Sequence, residues 1–186
     1  MNCRILLTAA LIAATPLIAQ NAPKKPPVSP AATASAMIGG KAITITYSSP
    51  GVKGRAGKIF TKDGLISHDP HYPVWRAGAN AATTLKIDGD LHIGRRDGIT
   101  VPAGTYTLFV DISDPASWVL IVSKATGEWG LKYDSTQDLG KVKMTMGAPA
   151  GMVENLKYTI TDSGDGRGTL TLEWENMSAS VPIHMH

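Results

Sequence analysis

Apolar and polar residues alternate in short runs along most of this chain, and turn signals break the runs about every ten residues. In ASAMIGGKAITITYSS, two such runs flank Gly39-Gly40, a good two-residue hairpin turn, and Ile43, Ile45 and Tyr47 alternate with Thr44 and Thr46. Thr83, Leu85 and Ile87 repeat the pattern ahead of a turn at Asp88-Gly89-Asp90. Tyr106, Leu108, Val110 and Ile112 share one face of VPAGTYTLFVDI. SWVLIVS is apolar on both faces, as a central strand would be. Val142, Met144 and Met146 alternate with polar residues; so do Leu156, Tyr158 and Ile160, and then Leu170, Leu172 and Trp174, before SASVPI closes the chain. No segment carries a helical period. The spacing predicts roughly ten short strands in an all-β, antiparallel two-sheet β-sandwich, with a closed β-barrel as second choice.

The chain is 186 residues long, enough for one domain with a core of its own. MNCRILLTAALIAATPLIAQ has a short positive start at Arg4, an apolar run too short to span a bilayer comfortably, and small residues at its end. It reads as a signal peptide, 1–19, cut after Ala19. An uncleaved membrane anchor is the alternative. Cys3 is the only cysteine and precedes the apolar run, so lipidation is rejected and the mature chain holds no thiol. Residues 20–33, containing NAPKKPPVSPAAT, read as a Pro-rich linker. The domain is expected over 34–183, with 184–186 as a C-terminal tail. The chain has 18 Lys and Arg against 15 acids, and loss of Arg4 leaves 17 against 15, a charge of +2. Scattered positives of this kind give no basic stripe, so nucleic acid is not expected as a partner. No integral membrane segment is expected after signal cleavage. The address expected is periplasmic or secreted.

One segment lacks alternation. PGVKGRAGKIFTKDGLISHDPHYPV, 50–74, is a long loop rich in Gly and Pro with its cations in the first half, and it runs into PVWRAGANAATTL. Long loops in compact domains are uncommon and often functional. Lys53, Arg55 and Lys58 alternate with glycines and could cradle an anion, although the nucleotide-binding GxxxxGK[ST] pattern is absent. Trp75 and Arg76 point to opposite faces if they sit in a strand. Arg76 offers a planar fork for carboxylate, phosphate or sulfate, and Asn80 can donate and accept. The competing reading is a sandwich corner, with Trp75 capping the core, Arg76 paired with an acid and Asn80 tying down a turn. Trp129, in GEWGLKYD, is a candidate stacking platform for a sugar or a core plug; Trp118 and Trp174 fall within strand patterns and read as core.

Catalytic and metal signals are poor. No GxSxG elbow and no HExxH is present. His184, Met185 and His186 are weak copper candidates, as readily a solvated tail, and HDPH at 68–71 is weaker still; no metal and no cofactor is favoured. Glu173 and Glu175 read as the solvent side of a strand whose core side is Leu172 and Trp174. DSGDGRG, 162–168, reads as a hairpin turn rather than a calcium loop.

TYSSPGVKGRAGKIF, VWRAGANAATTL, VPAGTYTLFV, WVLIVSKATGEWG and LTLEWENMSASVPI occur in this order. Together they resemble the secreted bacterial family of domain of unknown function 2911 (DUF2911), over about 34–183. The resemblance implies the domain boundaries and an exported address, in a Gram-negative periplasm or the cell exterior. The family carries no established activity or catalytic residues to transfer, so the resemblance leaves function open. The long basic loop feeding the Trp-Arg-x-Gly-x-Asn motif motivates the function expected, a non-catalytic binding module for a small anionic ligand or glycan. Its ligand-binding residues would be Lys53, Arg55, Trp75, Arg76, Asn80 and Trp129. Whether it is an enzyme is left open, leaning to no. The alternatives are a hydrolase acting in the same groove, and a structural or envelope module contacting a protein partner that the sequence does not identify.

Overall fold

The computed structural model describes residues 29–127, 129–130 and 132–186. The expected signal peptide and most of the Pro-rich linker lie outside the described residues. The chain forms β1 (Ala31–Ile38), β2 (Lys41–Ser48), β3 (Val74–Trp75), β4 (Thr83–Ile87), β5 (Leu91–Ile93) and β6 (Ile99–Val101). It continues with β7 (Gly104–Asp111), β8 (Val119–Ser123), β9 (Asp138–Lys143), β10 (Thr145–Gly147), β11 (Val153–Gly164), β12 (Arg167–Glu175) and β13 (Met177–Met185). Single 3-10 turns at Ile66–His68 and Ser135–Gln137 are the helical residues among those described. No helix among the described residues is long and apolar enough to cross a membrane.

All pairings are antiparallel, and the strands fall into two sheets rather than a closed barrel. One sheet runs β1-β2-β4-β7-β8-β9, with β3 also on β7; the other runs β11-β12-β13-β5-β6, with β10 also on β13. The turns follow from residues that tolerate left-handed backbone. Gly39 and Gly40, at φ 55° and 76°, link β1 to β2, and Asp165 and Gly166, at 51° and 71°, link β11 to β12. The alternation then fills one core between the sheets. Ile43, Ile45 and Tyr47 of β2 and Tyr106, Leu108 and Val110 of β7 face Leu170, Leu172 and Trp174 of β12 across it.

β8 is apolar on both faces because both are covered. Leu120 and Val122 enter the main core, while Ile121 lies beside Phe109 on the outer face, where Tyr133 packs edge-on at 5.0 Å from the Phe109 ring. The run Val142, Met144, Met146 belongs to two strands. β9 pairs with β8 as far as Lys143; β10 then pairs with β13 in the other sheet. Alternation survives the switch because the inner faces of both sheets share one core.

The ordered sheet extends further than expected at both ends. Ala31, Ala32 and Thr33 already pair with Ser48, Tyr47 and Thr46. At the other end His184 and Met185 pair with His92 and Leu91, and Met185 is buried in the core. Met185 therefore points away from the rings of His184 and His186, whose centroids are 4.4 Å apart. Among the described residues no group of three or more His, Cys, Asp or Glu could hold a metal ion.

Candidate functional site

The long loop is fastened at both ends and in the middle. Its first limb adds to β11: the Val52 amide donates to the Glu154 carbonyl at 2.8 Å, and the Leu156 amide to the Pro50 carbonyl at 2.9 Å. That borrowed pairing explains why β11 shifts register against β12 between Val153 and Lys157. Lys53 then takes left-handed backbone at φ 49°, followed by Gly54 at 73°. Further on, Ile59 and Ile66 are buried, and Phe60 inserts among three tryptophans. Its ring centroid lies 5.9, 4.9 and 5.7 Å from those of Trp75, Trp118 and Trp174. Contacts of this kind bury large apolar area and add edge-to-face attraction.

The Trp-Arg-Ala-Gly-Ala-Asn stretch is an interruption in a single line of pairing. Trp75 of β3 pairs with Val110 of β7, and Thr83 of β4 with Leu108. Residues 76–82 therefore loop out opposite Phe109 alone. The base of the excursion is closed by hydrogen bonds. The indole of Trp75 donates to the Gly78 carbonyl at 3.1 Å, and the hydroxyls of Thr83 and Tyr158 donate to the Ala77 carbonyl at 3.0 and 2.9 Å. Burial pushes the Tyr158 phenol well above its ordinary pKa of 10.0. A Cβ on Gly78 would stand 2.8 Å from the Thr83 hydroxyl, which is why the position is glycine.

Trp75 and Arg76 do point apart. Trp75 enters the core. Arg76 reaches back to Asp69, its Nη2 and Nε donating to Oδ2 at 2.8 and 3.2 Å, and its Nη1 donates to the Asn80 carbonyl at 3.2 Å. The Asn80 side-chain amide donates to the Ser29 carbonyl and the Ser48 hydroxyl, each at 3.3 Å. The corner reading and the site reading thus describe the same residues. Asp69 is the partner that sequence reasoning did not single out; HDPH had drawn attention to its histidines instead.

These loops enclose a cleft of about 380 Å³. Lys53, Arg55, Trp75, Arg76 and Asn80 all line it, joined by His68 and Asp69. Trp129 does not line it. It is 58% exposed and bridges to Ala81, near the end of the excursion and away from the cleft lining. The second aromatic lining the cleft is Trp174, stacked on Trp75 with centroids 5.9 Å apart. It is only 2% exposed and so serves both the core and the cleft.

The electrostatics are unequal. Arg76 is neutralised by Asp69 and uses three of its five N–H groups on protein acceptors. Arg55 donates through Nε to the Val52 carbonyl at 3.0 Å and through Nη2 to the Gly51 carbonyl at 2.8 Å. No carboxylate pairs with Arg55 among the described residues. The Glu154 carboxylate lies against the same limb, accepting the Lys53 backbone N–H at 2.8 Å. Both oxygens of Asp69 are engaged, Oδ2 by Arg76 and Oδ1 by the His71 amide at 3.1 Å.

Glu173 and Glu175 do not share a solvent face. Glu173 pairs with Lys157 across β11 and β12 at 2.9 Å. Glu175 is buried, at 5% exposure, and accepts a hydrogen bond from the Gly57 amide. The reason is the turn: Trp174 pairs with Met177, so Glu175 begins a two-residue hairpin in left-handed backbone at φ 57°, which breaks the alternation.

No curated protein and no solved structure matches the chain. The ordered motifs that build this cleft lie within residues 29–183, which match the family model described as protein of unknown function (DUF2911), and the chain belongs to that family.

Proposed function

We propose that this protein is an exported, non-catalytic binding module that takes a small anionic ligand in the cleft between the 50–55 limb, the 65–69 turn and the 76–80 excursion. Export rests on the N-terminal signal-like sequence, and with it a periplasmic or secreted address. One observation carries the binding reading: Lys53, Arg55, Arg76 and Asn80, drawn from two separate loops, line a single cleft beside Trp75 and Trp174. Arg55 supplies the charge, and the spare N–H groups of Arg55 and Arg76 supply direction. The indoles offer an apolar surface to the rest of the ligand. Cavities of this size suit small molecules. A glycan is the second reading, favoured by the exposed ring of Trp129 beside the excursion. Hydrolysis in the same groove is less well supported, because Asp69 is already held by Arg76 and the His71 amide.

The test is a thermal melt of the purified protein against phosphate, sulfate, acidic sugars and neutral sugars. A ligand at about a hundred times its Kd stabilises by roughly 2.7 kcal/mol. The expected result is a rise in Tm with an anion, lost in Arg55→Ala and weakened in Lys53→Asn, a residue that accepts left-handed backbone. Arg76→Ala is a poor control, since it strands Asp69. A shift with neutral sugars alone would move the reading to a glycan, and no shift from any anion would sink it.

A further inference from the structure

A second cavity, of about 530 Å³, lies on the other side of the aromatic cluster and shares no residue with the cleft. Its lining includes Phe60, Tyr72, Trp118 and Ile112, and among these apolar groups sits one carboxylate, Glu175. Oε1 of Glu175 accepts from the Gly57 amide, while Oε2 accepts from no protein donor among the described residues and retains access to solvent. Among the described residues no Lys, Arg or His pairs with the carboxylate there. Lys62 lines the same cavity without forming an ion pair among the described residues. Glu175 is moreover held in left-handed backbone, which a glutamate adopts at a cost. A largely buried carboxylate with no counter-charge among the described residues, on a residue in left-handed backbone, is unfavourable to the fold by itself. The free oxygen of such a carboxylate can be completed by water or by a bound cation.

We infer that this cavity is a binding site for a small organic cation, a primary amine or a quaternary ammonium. The carboxylate of Glu175 meets the charge. The rings of Phe60, Tyr72 and Trp118 surround the carbon groups attached to the nitrogen, through the attraction of a cation for an aromatic face. The same carboxylate disfavours an anion at its end of the cavity.

The experiment is calorimetric titration of the purified full-length protein with benzylamine and with its uncharged counterpart, benzyl alcohol, at matched ionic strength. Benzylamine is expected to bind about tenfold or more tightly than benzyl alcohol. Glu175→Gln is expected to remove that preference while leaving the alcohol unchanged. Glu175→Asn, suited to the left-handed backbone, repeats the test should the first variant fold poorly. Crystals soaked with 4-bromobenzylamine locate the amine, so the charge preference of the unaltered protein is decisive even without a variant. Equal affinity for amine and alcohol, no amine binding, bromine placed elsewhere, or a preference that survives in Glu175→Gln would each overturn the proposal. None of these outcomes bears on the anion cleft, and failure of the anion panel does not bear on this site.

Discussion

Arg76 and Asp69 form a pair in which neither side chain is more than 15% exposed. Removing one partner leaves the other desolvated and unmatched, so Asp69→Asn and Arg76→Ala should each destabilise the fold by about 3 kcal/mol. Urea denaturation reads this directly; a change below about 0.5 kcal/mol in both variants would show the pair to be idle. Gly78→Ala should cost about 1–3 kcal/mol by driving a methyl against the Thr83 hydroxyl. The same experiment checks it, and a stability equal to the parent would mean the excursion yields easily. At this scale the sequence was legible where residue chemistry is self-evident. A fork of donors at Arg76 needs an acid, and a Trp-Arg pair must face two ways. Which acid was not legible, because Asp69 reaches Arg76 through a turn whose shape no periodicity encodes. Glu175 was misplaced because alternation holds only while the strand does, and the hairpin begins one residue sooner.

The 50–74 loop behaves as a built element. Its apolar residues, Ile59, Phe60 and Ile66, do what a strand's inner face does, without a strand's rhythm. Phe60→Ala should therefore cost about 3–4 kcal/mol and release the loop from the tryptophans. Limited proteolysis is the sharper readout: cleavage within 50–74 should accelerate strongly, while the strands stay resistant. Unchanged cleavage would mean that pairing with β11 and the Arg76–Asp69 contact suffice to hold it. KIFTKDGL shows why this escaped a reading by pattern. A single aromatic between a buried Ile and polar residues has no period to detect. The regular elements were legible from spacing alone: β4 runs from Thr83 to Ile87, as its alternation indicates.

Across the whole molecule, two tyrosines make a shared demand. Tyr158 is raised by burial, and Tyr133 is raised by burial and by the nearby charge of Asp138, to which its hydroxyl donates at 2.7 Å. A phenol with a raised pKa keeps its proton in the fold after the unfolded chain has lost its own. Stability from these groups is thus complete below about pH 10 and falls as pH rises further. Equilibrium unfolding across pH 8–12 should show a decline that is shallower in Tyr158→Phe, although that variant starts about 1 kcal/mol lower through loss of its bond to Ala77. Identical alkaline slopes in the two proteins would exclude Tyr158 as a source. The two-sheet architecture was legible as a class, from turn spacing and alternation. The passage of 142–146 from one sheet to the other was not, because both sheets present the same inward face. β7 runs unbroken past the excursion and holds β3 and β4 on one line, so sheet register does not depend on what residues 79–81 are. Evolution or an engineer can rewrite that tip, in sequence or in length, as one recuts a key without altering its shaft. A change confined to 79–81 therefore alters the rim of the cleft and leaves the strand pairing as it is.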